Sequence, residues 1–229
     1  MAFRTQDFCI DSQRYAAHIF PAEDGLFEET FSTDNTYRVH GLNITIHQDY
    51  SASLGVAASV WDSALHLCQF FENESLDLSG TRIIELGGGT GLVGIVAARL
   101  GAHVTITDLP SAVSQIERNI AANTPFSGWP SDGPSVSALA WGLDHSRFSS
   151  SWDFVLGADI VYLPETFPLL LDTLVHLCRD GAVVYLASTM RREHGAQDFY
   201  DHMLPQMFSV ELVQRDPENN INIYKATLR

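Results

Sequence analysis

Two carboxylates that frame a glycine run are the residues of this chain best suited to chemistry. Glu85 and Asp108 stand near the ends of residues 82–108, and the run between them consists of Gly87, Gly88, Gly89 and Gly91. A glycine turn lets a ligand come close to the backbone, because no side chain intervenes and a positive φ carries no steric cost. A carboxylate about 20 residues after such glycines can accept hydrogen bonds from the hydroxyl groups of a ribose. The stretch therefore predicts a nucleotide-cofactor site with Asp108 as its ribose ligand.

The glycine run fits two cofactor motifs. Residues 89–94 match the dinucleotide pattern G-x-G-x-x-G. Residues 85–91 match E-x-G-x-G-x-G, which resembles motif I of class I S-adenosylmethionine-dependent methyltransferases. In that motif the acidic residue, here Glu85, faces the ammonium end of the cofactor. A dehydrogenase needs no anion there, and its diphosphate-binding turn is expected nearer the start of its domain. We therefore predict S-adenosyl-L-methionine as the cofactor and S-adenosyl-L-homocysteine as the product.

The hydrophobic pattern indicates the elements that must hold these residues in place. Apolar runs and alternation with a period of two predict strands, and segments with helical spacing separate them. The predicted strands cover residues 83–86, 104–106, 136–139, 154–160 and 182–187, followed by a hairpin of residues 208–214 and 221–227. The predicted helices cover residues 54–71, 92–100, 110–123, 164–178 and part of 199–207, with Ser51 and Ser53 as candidate caps of the first. The expected fold is α/β, a class I Rossmann-like, seven-stranded and mostly parallel sheet with a C-terminal antiparallel hairpin.

Residues at the carboxyl ends of these strands are candidates for binding, because ligands of open α/β sheets bind there. Trp141, after the third strand, can lie flat against a purine ring. Trp61, on the helix before the glycine run, can pack on the methionine moiety of the cofactor, whose sulfonium an aromatic face attracts. Ordinary core packing is the alternative for both tryptophans. Ala158 can line the pocket with its backbone without crowding it.

Asp159 and Tyr162 close the fourth strand of the predicted sheet, opposite the expected donor methyl group. A carboxylate can hold an incoming ammonium group and orient its lone pair after deprotonation, while a tyrosine ring narrows the slot. A lysine amine has a pKa of about 10.4 in solution, and a desolvated site lowers it. The predicted chemistry is methyl transfer to an amine, with Asp159 and Tyr162 as catalytic residues. The alternative is that Asp159 caps a helix and Tyr162 only packs.

The composition limits the partners that this chain can have. It carries 13 basic and 28 acidic residues, a formal net charge of −15. That charge repels phosphate backbones, so nucleic acid is not expected as a direct partner, and a basic protein surface is the natural counterpart. The histidines and cysteines show no metal-ligand spacing, so no metal site is expected.

The length of 229 residues fits one α/β domain with an N-terminal extension. We assign residues 1–35 to a loosely ordered arm and residues 36–229 to the main domain. Within that domain, residues 36–80 should form a hairpin and a helix, and residues 81–229 the core sheet. No apolar stretch reaches the length of a membrane span, and the N-terminus lacks the apolar core of a signal peptide. A cytoplasmic protein without a membrane partner is expected, with cytoskeletal or centrosomal association as a further hypothesis.

Several segments together resemble the methyltransferase-like 21 family of protein-lysine methyltransferases. They are residues 53–62, 85–91, 104–108, 141–142 and 156–162. The resemblance runs from residue 37 to the C-terminus and implies mono- to trimethylation of a lysine side chain with S-adenosylmethionine as donor. It implies cofactor contacts at Trp61, Gly87 to Gly89, Asp108, Trp141 and Ala158, and it places the substrate-side D-x-x-Y motif at Asp159 and Tyr162. Gly88 departs from the pattern, since many relatives carry alanine there.

Within that family, residues 104–110, 156–178 and 190–195 are most similar to members that act on eukaryotic elongation factor 1-alpha. The resemblance therefore implies this factor as the protein substrate, and we also expect chaperone contacts and a monomer. Two alternatives stay open. One is a methyltransferase for another protein, a small amine or a nucleobase. The other is a binding module that keeps the fold without turnover.

Overall fold

The computed structural model describes residues 31–51, 53–124, 129 and 133–229. Its first element is a two-stranded antiparallel hairpin of β1 (Phe31–Val39) and β2 (Leu42–Tyr50). The two residues of its turn, His40 and Gly41, have φ of 52° and 69°, as a tight hairpin turn requires. The sequence predicted this hairpin over residues 37–48, but its first strand begins at Phe31 and includes the last residues of the predicted arm. The rest of that arm, residues 1–30, lies outside the described residues.

A seven-stranded sheet forms the centre of the fold. Its strands are β3 (Arg82–Leu86), β4 (His103–Asp108), β5 (Ser135–Ala138), β6 (Phe154–Ala158), β7 (Val183–Thr189), β8 (Phe208–Asp216) and β9 (Ile221–Leu228). They lie in the order β5-β4-β3-β6-β7-β9-β8. The first five are mutually parallel, while β9 pairs antiparallel with both β7 and β8. This confirms the predicted sheet. The strand order reverses between β3 and β6, which opens a crevice at their carboxyl ends.

Four helices of eight residues or more flank the sheet in the part of the chain that the structure describes. They are α1 (Asp62–Asn73), α2 (Leu92–Arg99), α3 (Pro110–Ala122) and α4 (Phe167–Leu177). The predicted helix over residues 54–71 starts too early, because Ser59 and Trp61 have extended backbones. Only a short 3-10 turn, Gly55–Ala58, precedes them, and α1 has no side-chain cap, so the predicted serine caps are wrong. Residues 199–207 contain a π-helix, Phe199–Met203, and a 3-10 turn, Leu204–Gln206.

The core lies on both faces of the sheet. On one face lie the hairpin, α1 and α2, with Ile46, Leu67 and Val96 among the fully buried residues. On the other face α4 packs against β6 and β7 through residues such as Leu170 and Leu174. Burial on both sides explains the uninterrupted apolar character of the central strands. Within the described ranges, no helix combines the length and the apolar character needed to cross a membrane.

Candidate active site

One cleft at the carboxyl ends of β3, β4 and β6 brings together every residue that the sequence predicted for the site. It is a concave site that opens to solvent, as small-molecule sites are. The predicted residues among its lining are Trp61, Glu85, Gly87, Gly88, Gly89, Asp108, Trp141, Ala158, Asp159 and Tyr162. Residues up to 101 positions apart in sequence therefore meet at the switch in strand order.

The glycine turn after β3 forms the floor of the cleft. Gly87, Gly89 and Gly91 have φ of 60°, 56° and 82°, a region in which side chains are strained. A Cβ on Gly87 would lie 2.6 Å from Cγ2 of Ile160, so the turn has no room for one. At Gly88, a Cβ would lie 2.5 Å from Cγ2 of Ile106. Glycine at position 88, where many relatives carry alanine, thus avoids a close contact with Ile106.

Asp108, the last residue of β4, is fixed against the glycine turn. Its Oδ2 accepts a hydrogen bond of 2.7 Å from the Gly89 amide, and its Oδ1 accepts one of 2.6 Å from the Leu109 amide. Burial raises the pKa of the carboxyl group, and these two hydrogen bonds oppose that rise. The carboxylate is therefore held in one orientation at the lip of the cleft before any ligand arrives.

Glu85 is buried beneath the glycine turn, with only 2% of its surface exposed. Its Oε2 accepts a hydrogen bond of 2.9 Å from the amide of Gly94 in α2. Burial raises its pKa to about 8, the Gly94 amide opposes this rise, and the charge of Asp108 adds to it. Glu85 thus ties β3 to α2 while it lines the cleft. The motif gave no sign of this structural role.

Two tryptophans form aromatic walls of the cleft. Trp141 is 7% exposed and lies beside the glycine turn, where its Cζ2 would be 3.4 Å from a Cβ on Gly87. The indole N–H of Trp61 donates a hydrogen bond of 2.9 Å to the carbonyl oxygen of Val56. The guanidinium carbon of Arg191 lies 5.3 Å from the centre of the Trp61 ring, within the range of a cation–π contact.

Asp159 follows β6 in a left-handed backbone conformation, with φ of 54°. This conformation costs a non-glycine residue about 1 kcal/mol, and surrounding contacts must compensate. Its amide donates to the carbonyl oxygen of Ala187, while its Oδ1 and Oδ2 accept hydrogen bonds of 2.7 and 3.0 Å from the amide and hydroxyl of Thr189. The carboxylate is thus anchored to β7 at the mouth of the cleft. The structure assigns it this contact and no helix cap.

Tyr162, three residues after Asp159, also lines the cleft. Its ring centre lies 6.5 Å from that of His194, at an interplanar angle of 62°. His194 and Arg191 belong to one segment after β7, so this segment contacts both Tyr162 and Trp61.

The sequence also left several lining residues unnamed. They include Val56, Ala57, Ser59, Leu109, Leu139 and Ile160. Such small and apolar residues occur throughout the chain, so their types carry no signal of a binding role. Among the described residues, no group of three or more histidine, cysteine, aspartate or glutamate side chains could hold a metal ion.

Comparison with known proteins identifies the family. A sequence model of the lysine methyltransferase family matches residues 39–206. This chain belongs to that family. The activity predicted from the motifs, transfer of a methyl group from S-adenosylmethionine to a lysine of a protein, is the activity of this lysine methyltransferase. The predicted cofactor and enzyme class are thus confirmed.

Individual relatives cover nearly the whole lysine methyltransferase chain. A Xenopus tropicalis protein named EEF1A lysine methyltransferase 3 is 50% identical over 92% of this chain and 93% of its own. A second Xenopus tropicalis protein, named Protein N-lysine methyltransferase METTL21A, is 47% identical over 82% of this chain and 84% of its own.

Solved structures match the fold of this lysine methyltransferase. The T. thermophilus 16S rRNA N2 G1207 methyltransferase, in complex with AdoMet and guanosine, has a TM-score of 0.61 at 18% identity and covers 88% of this chain and 52% of its own. The magnesium protoporphyrin IX methyltransferase of Synechocystis, with bound SAM, has a TM-score of 0.53 at 16% identity, with 73% and 79% covered. At these identities the likeness shows the shared class I fold.

Proposed function

We propose that this lysine methyltransferase methylates a lysine of eukaryotic elongation factor 1-alpha. The observation that carries the proposal is the 50% identity, over 92% of this chain, to a relative named EEF1A lysine methyltransferase 3. The aligned region covers nearly all of both chains. The net charge of −15 also suits a factor of basic character, since opposite charges favour encounter.

The cleft has the groups that S-adenosylmethionine needs. We assign the ribose hydroxyl groups to Asp108, the purine to Trp141, the methionine ammonium to Glu85 and the rest of the methionine moiety to Trp61. The glycine turn supports this assignment, because a Cβ on Gly87 would collide with Ile160. The cofactor supplies an electrophilic methyl group on a sulfonium, and the protein positions an amine in line with it.

Asp159 and Tyr162 receive the lysine in this proposal. The Asp159 carboxylate attracts the ammonium group and, after deprotonation, orients the lone pair of the amine. Thr189 holds that carboxylate through both of its oxygens, so its position is set before the substrate binds. The rings of Tyr162 and Trp61 exclude water, which lowers the pKa of the lysine amine and exposes the nucleophile. Positioning therefore provides most of the catalysis.

A second candidate substrate is another protein. It is favoured by the 47% identity to a relative named Protein N-lysine methyltransferase METTL21A, whose name specifies no elongation factor. The two candidates share the cofactor, the cleft and the chemistry. They differ in the protein surface that is recognised.

Intact-mass spectrometry tests the proposal. Elongation factor 1-alpha from a host that lacks this modification is incubated with the enzyme and S-adenosylmethionine, and the Asp108→Ala variant serves as the control. We expect mass steps of one methyl group with the native enzyme and none with the variant, followed by mapping of the lysine from peptides. An unchanged mass, with cofactor binding still measurable by calorimetry, would overturn the elongation-factor substrate and direct the search to other proteins.

A further inference from the structure

Three amide side chains form a polar stripe along α3 and its C-terminal end. Gln115, Asn119 and Asn123 lie four residues apart, on one face of the helix. They are 3%, 0% and 0% exposed. Buried amides of this kind are costly unless their hydrogen-bonding groups have partners. The partners of these three reveal a role in the cofactor cleft.

On one side the stripe pairs with the edge of β2. The amides of Thr45, His47 and Asp49 donate to the side-chain oxygens of Asn123, Asn119 and Gln115, at 3.0, 2.8 and 3.0 Å. The carbonyl oxygens of Thr45 and His47 accept hydrogen bonds of 2.8 and 3.0 Å from the side-chain nitrogens of Asn123 and Asn119. Alternate residues of a strand direct their backbone groups to one edge. The amide stripe thus takes the place of a neighbouring strand and holds the hairpin.

On the other side only two of the amides reach the cleft. Nε2 of Gln115 donates to the carbonyl oxygens of Ala57, at 2.7 Å, and Gly89, at 3.3 Å. Nδ2 of Asn119 donates to the carbonyl oxygen of Thr90 at 2.9 Å. Ala57, Gly89 and Thr90 all line the cleft. Asn123 instead donates its second hydrogen bond to the carbonyl oxygen of Asn119 and contacts no lining residue in this way.

Gln115 therefore joins two walls of the cleft through one amide group. Ala57 lies in the 3-10 turn before α1, and Gly89 lies in the glycine turn after β3. The peptide groups of Gly89 are fixed from both sides, because its N–H donates to Asp108 and its carbonyl oxygen accepts from Gln115. A change at Gln115 is thus transmitted to the carboxylate that we assign to the ribose.

We propose that Gln115 is a positioning residue for S-adenosylmethionine, supported by Asn119. Its side-chain N–H groups set the spacing between the 3-10 turn and the glycine turn, and its oxygen anchors both to the hairpin through the Asp49 amide. By this proposal the hairpin of β1 and β2 supports the cofactor site through Gln115. The inference concerns the cofactor alone and is independent of which protein is methylated.

Isosteric variants separate a role of Gln115 in positioning the cofactor from a role in the stability of the fold alone. Gln115→Glu keeps an acceptor for the Asp49 amide but loses both hydrogen bonds to the cleft walls. Asn123→Asp is the matched control, since it makes the same chemical change in the same stripe without a bond to a lining residue. The dissociation constant of S-adenosylhomocysteine is measured by calorimetry, and the Tm of each protein by scanning fluorimetry.

We expect both variants to lose Tm to a similar degree. Gln115→Glu should weaken S-adenosylhomocysteine binding tenfold or more, Asn119→Asp by less, and Asn123→Asp by less than twofold. Because a buried charge is costly, the apolar pair Gln115→Met and Asn123→Leu repeats the comparison without one. Binding is measured well below the Tm of both proteins in a pair. If the Gln115 variant and the Asn123 variant of either folded pair bind S-adenosylhomocysteine with equal dissociation constants, the positioning role is overturned.

Discussion

The two sides of the cleft are held in different ways. On the side that we assign to the cofactor, side chains bond the backbone of the glycine turn and of the helix after it. Asp108 and Gln115 bond Gly89, and Glu85 bonds Gly94 in α2. On the substrate side, Asp159 has a positive φ and depends on Thr189, a residue of the neighbouring strand. The segment beyond it contacts the cleft through ring faces, with Arg191 on Trp61 and His194 near Tyr162.

This difference separates the side that we assign to the cofactor from the side that we assign to the protein substrate. Hydrogen bonds from buried groups to a backbone fix distances closely, which suits a small cofactor of constant shape. Contacts of a ring or a cation with an aromatic face tolerate a range of geometries. An exposed cation–π contact is also weak, about 0.5–1 kcal/mol. The substrate side can therefore change in sequence without disturbing the cofactor side. Three predictions test this separation.

The largest effect is expected at Asp159. Asn tolerates a positive φ, so Asp159→Asn removes the charge and keeps the backbone. We expect kcat to fall about 100-fold or more, while the dissociation constant of S-adenosylhomocysteine changes less than twofold. Methylation assays and calorimetry provide the two values. Thr189→Val, which loses the hydroxyl bond to Oδ2 but keeps the amide bond to Oδ1, should give a smaller loss of kcat. Native activity in Asp159→Asn would remove Asp159 from the catalytic role.

A smaller effect, one of stability, is expected at Glu85. Its pKa is raised from 4.5 to about 8 by burial, so the folded state keeps a proton that the unfolded state releases. The contribution of Glu85 to the free energy of unfolding is therefore fully present below pH 4.5. It falls as the pH rises toward about 8, by about 1.4 kcal/mol per pH unit in between. Glu85→Gln keeps an acceptor for the Gly94 amide and removes this dependence.

Urea unfolding of both proteins at pH 5.5, 6.5 and 7.5 measures the effect on stability. The native protein should lose stability relative to Glu85→Gln at each step, because only the native protein has the buried carboxyl group. If the difference in the free energy of unfolding between the native protein and Glu85→Gln stays constant with pH, Glu85 ionises normally in the folded state.

The sequence predicted the cofactor side best where residue type alone decides the structure. Glycine adopts the positive φ of Gly87, Gly89 and Gly91 without strain. Strand ends in a parallel sheet converge at one edge, so Asp108 and Asp159 could be placed together. The sheet was predicted for the same reason, since strands buried on both faces are continuously apolar.

The amide stripe could not be predicted, because its residues look like a solvent-facing side of a helix. Gln115, Asn119 and Asn123 have polar side chains at helical spacing, and nothing local shows that β2 covers them. The anchoring of Asp159 by Thr189 depends on the pairing of β6 with β7, which places residues 30 positions apart side by side. Such partners are set by tertiary pairing and are absent from any local pattern.

The smallest effect is expected at Arg191, whose segment contacts both Trp61 and Tyr162 and so reaches both sides of the cleft. Its guanidinium group lies over the ring of Trp61, which lines the cleft. A fixed positive charge there repels the ammonium group of an incoming lysine, and the cation–π contact itself contributes about 0.5–1 kcal/mol. Arg191→Gln should therefore lower the KM for the protein substrate a few-fold, with the cofactor dissociation constant unchanged and a Tm loss of a few degrees at most.

Steady-state methylation at varied protein substrate and saturating cofactor gives this KM. Arg192→Gln is the matched control, because Arg192 is the exposed neighbour of Arg191 and makes the same change of charge one position away. A KM that rises in Arg191→Gln alone would mean that the guanidinium group attracts an acidic part of the partner. A change in cofactor affinity would mean that the contact of Arg191 with Trp61 belongs to the cofactor side, and the separation between the two sides would then fail at this residue.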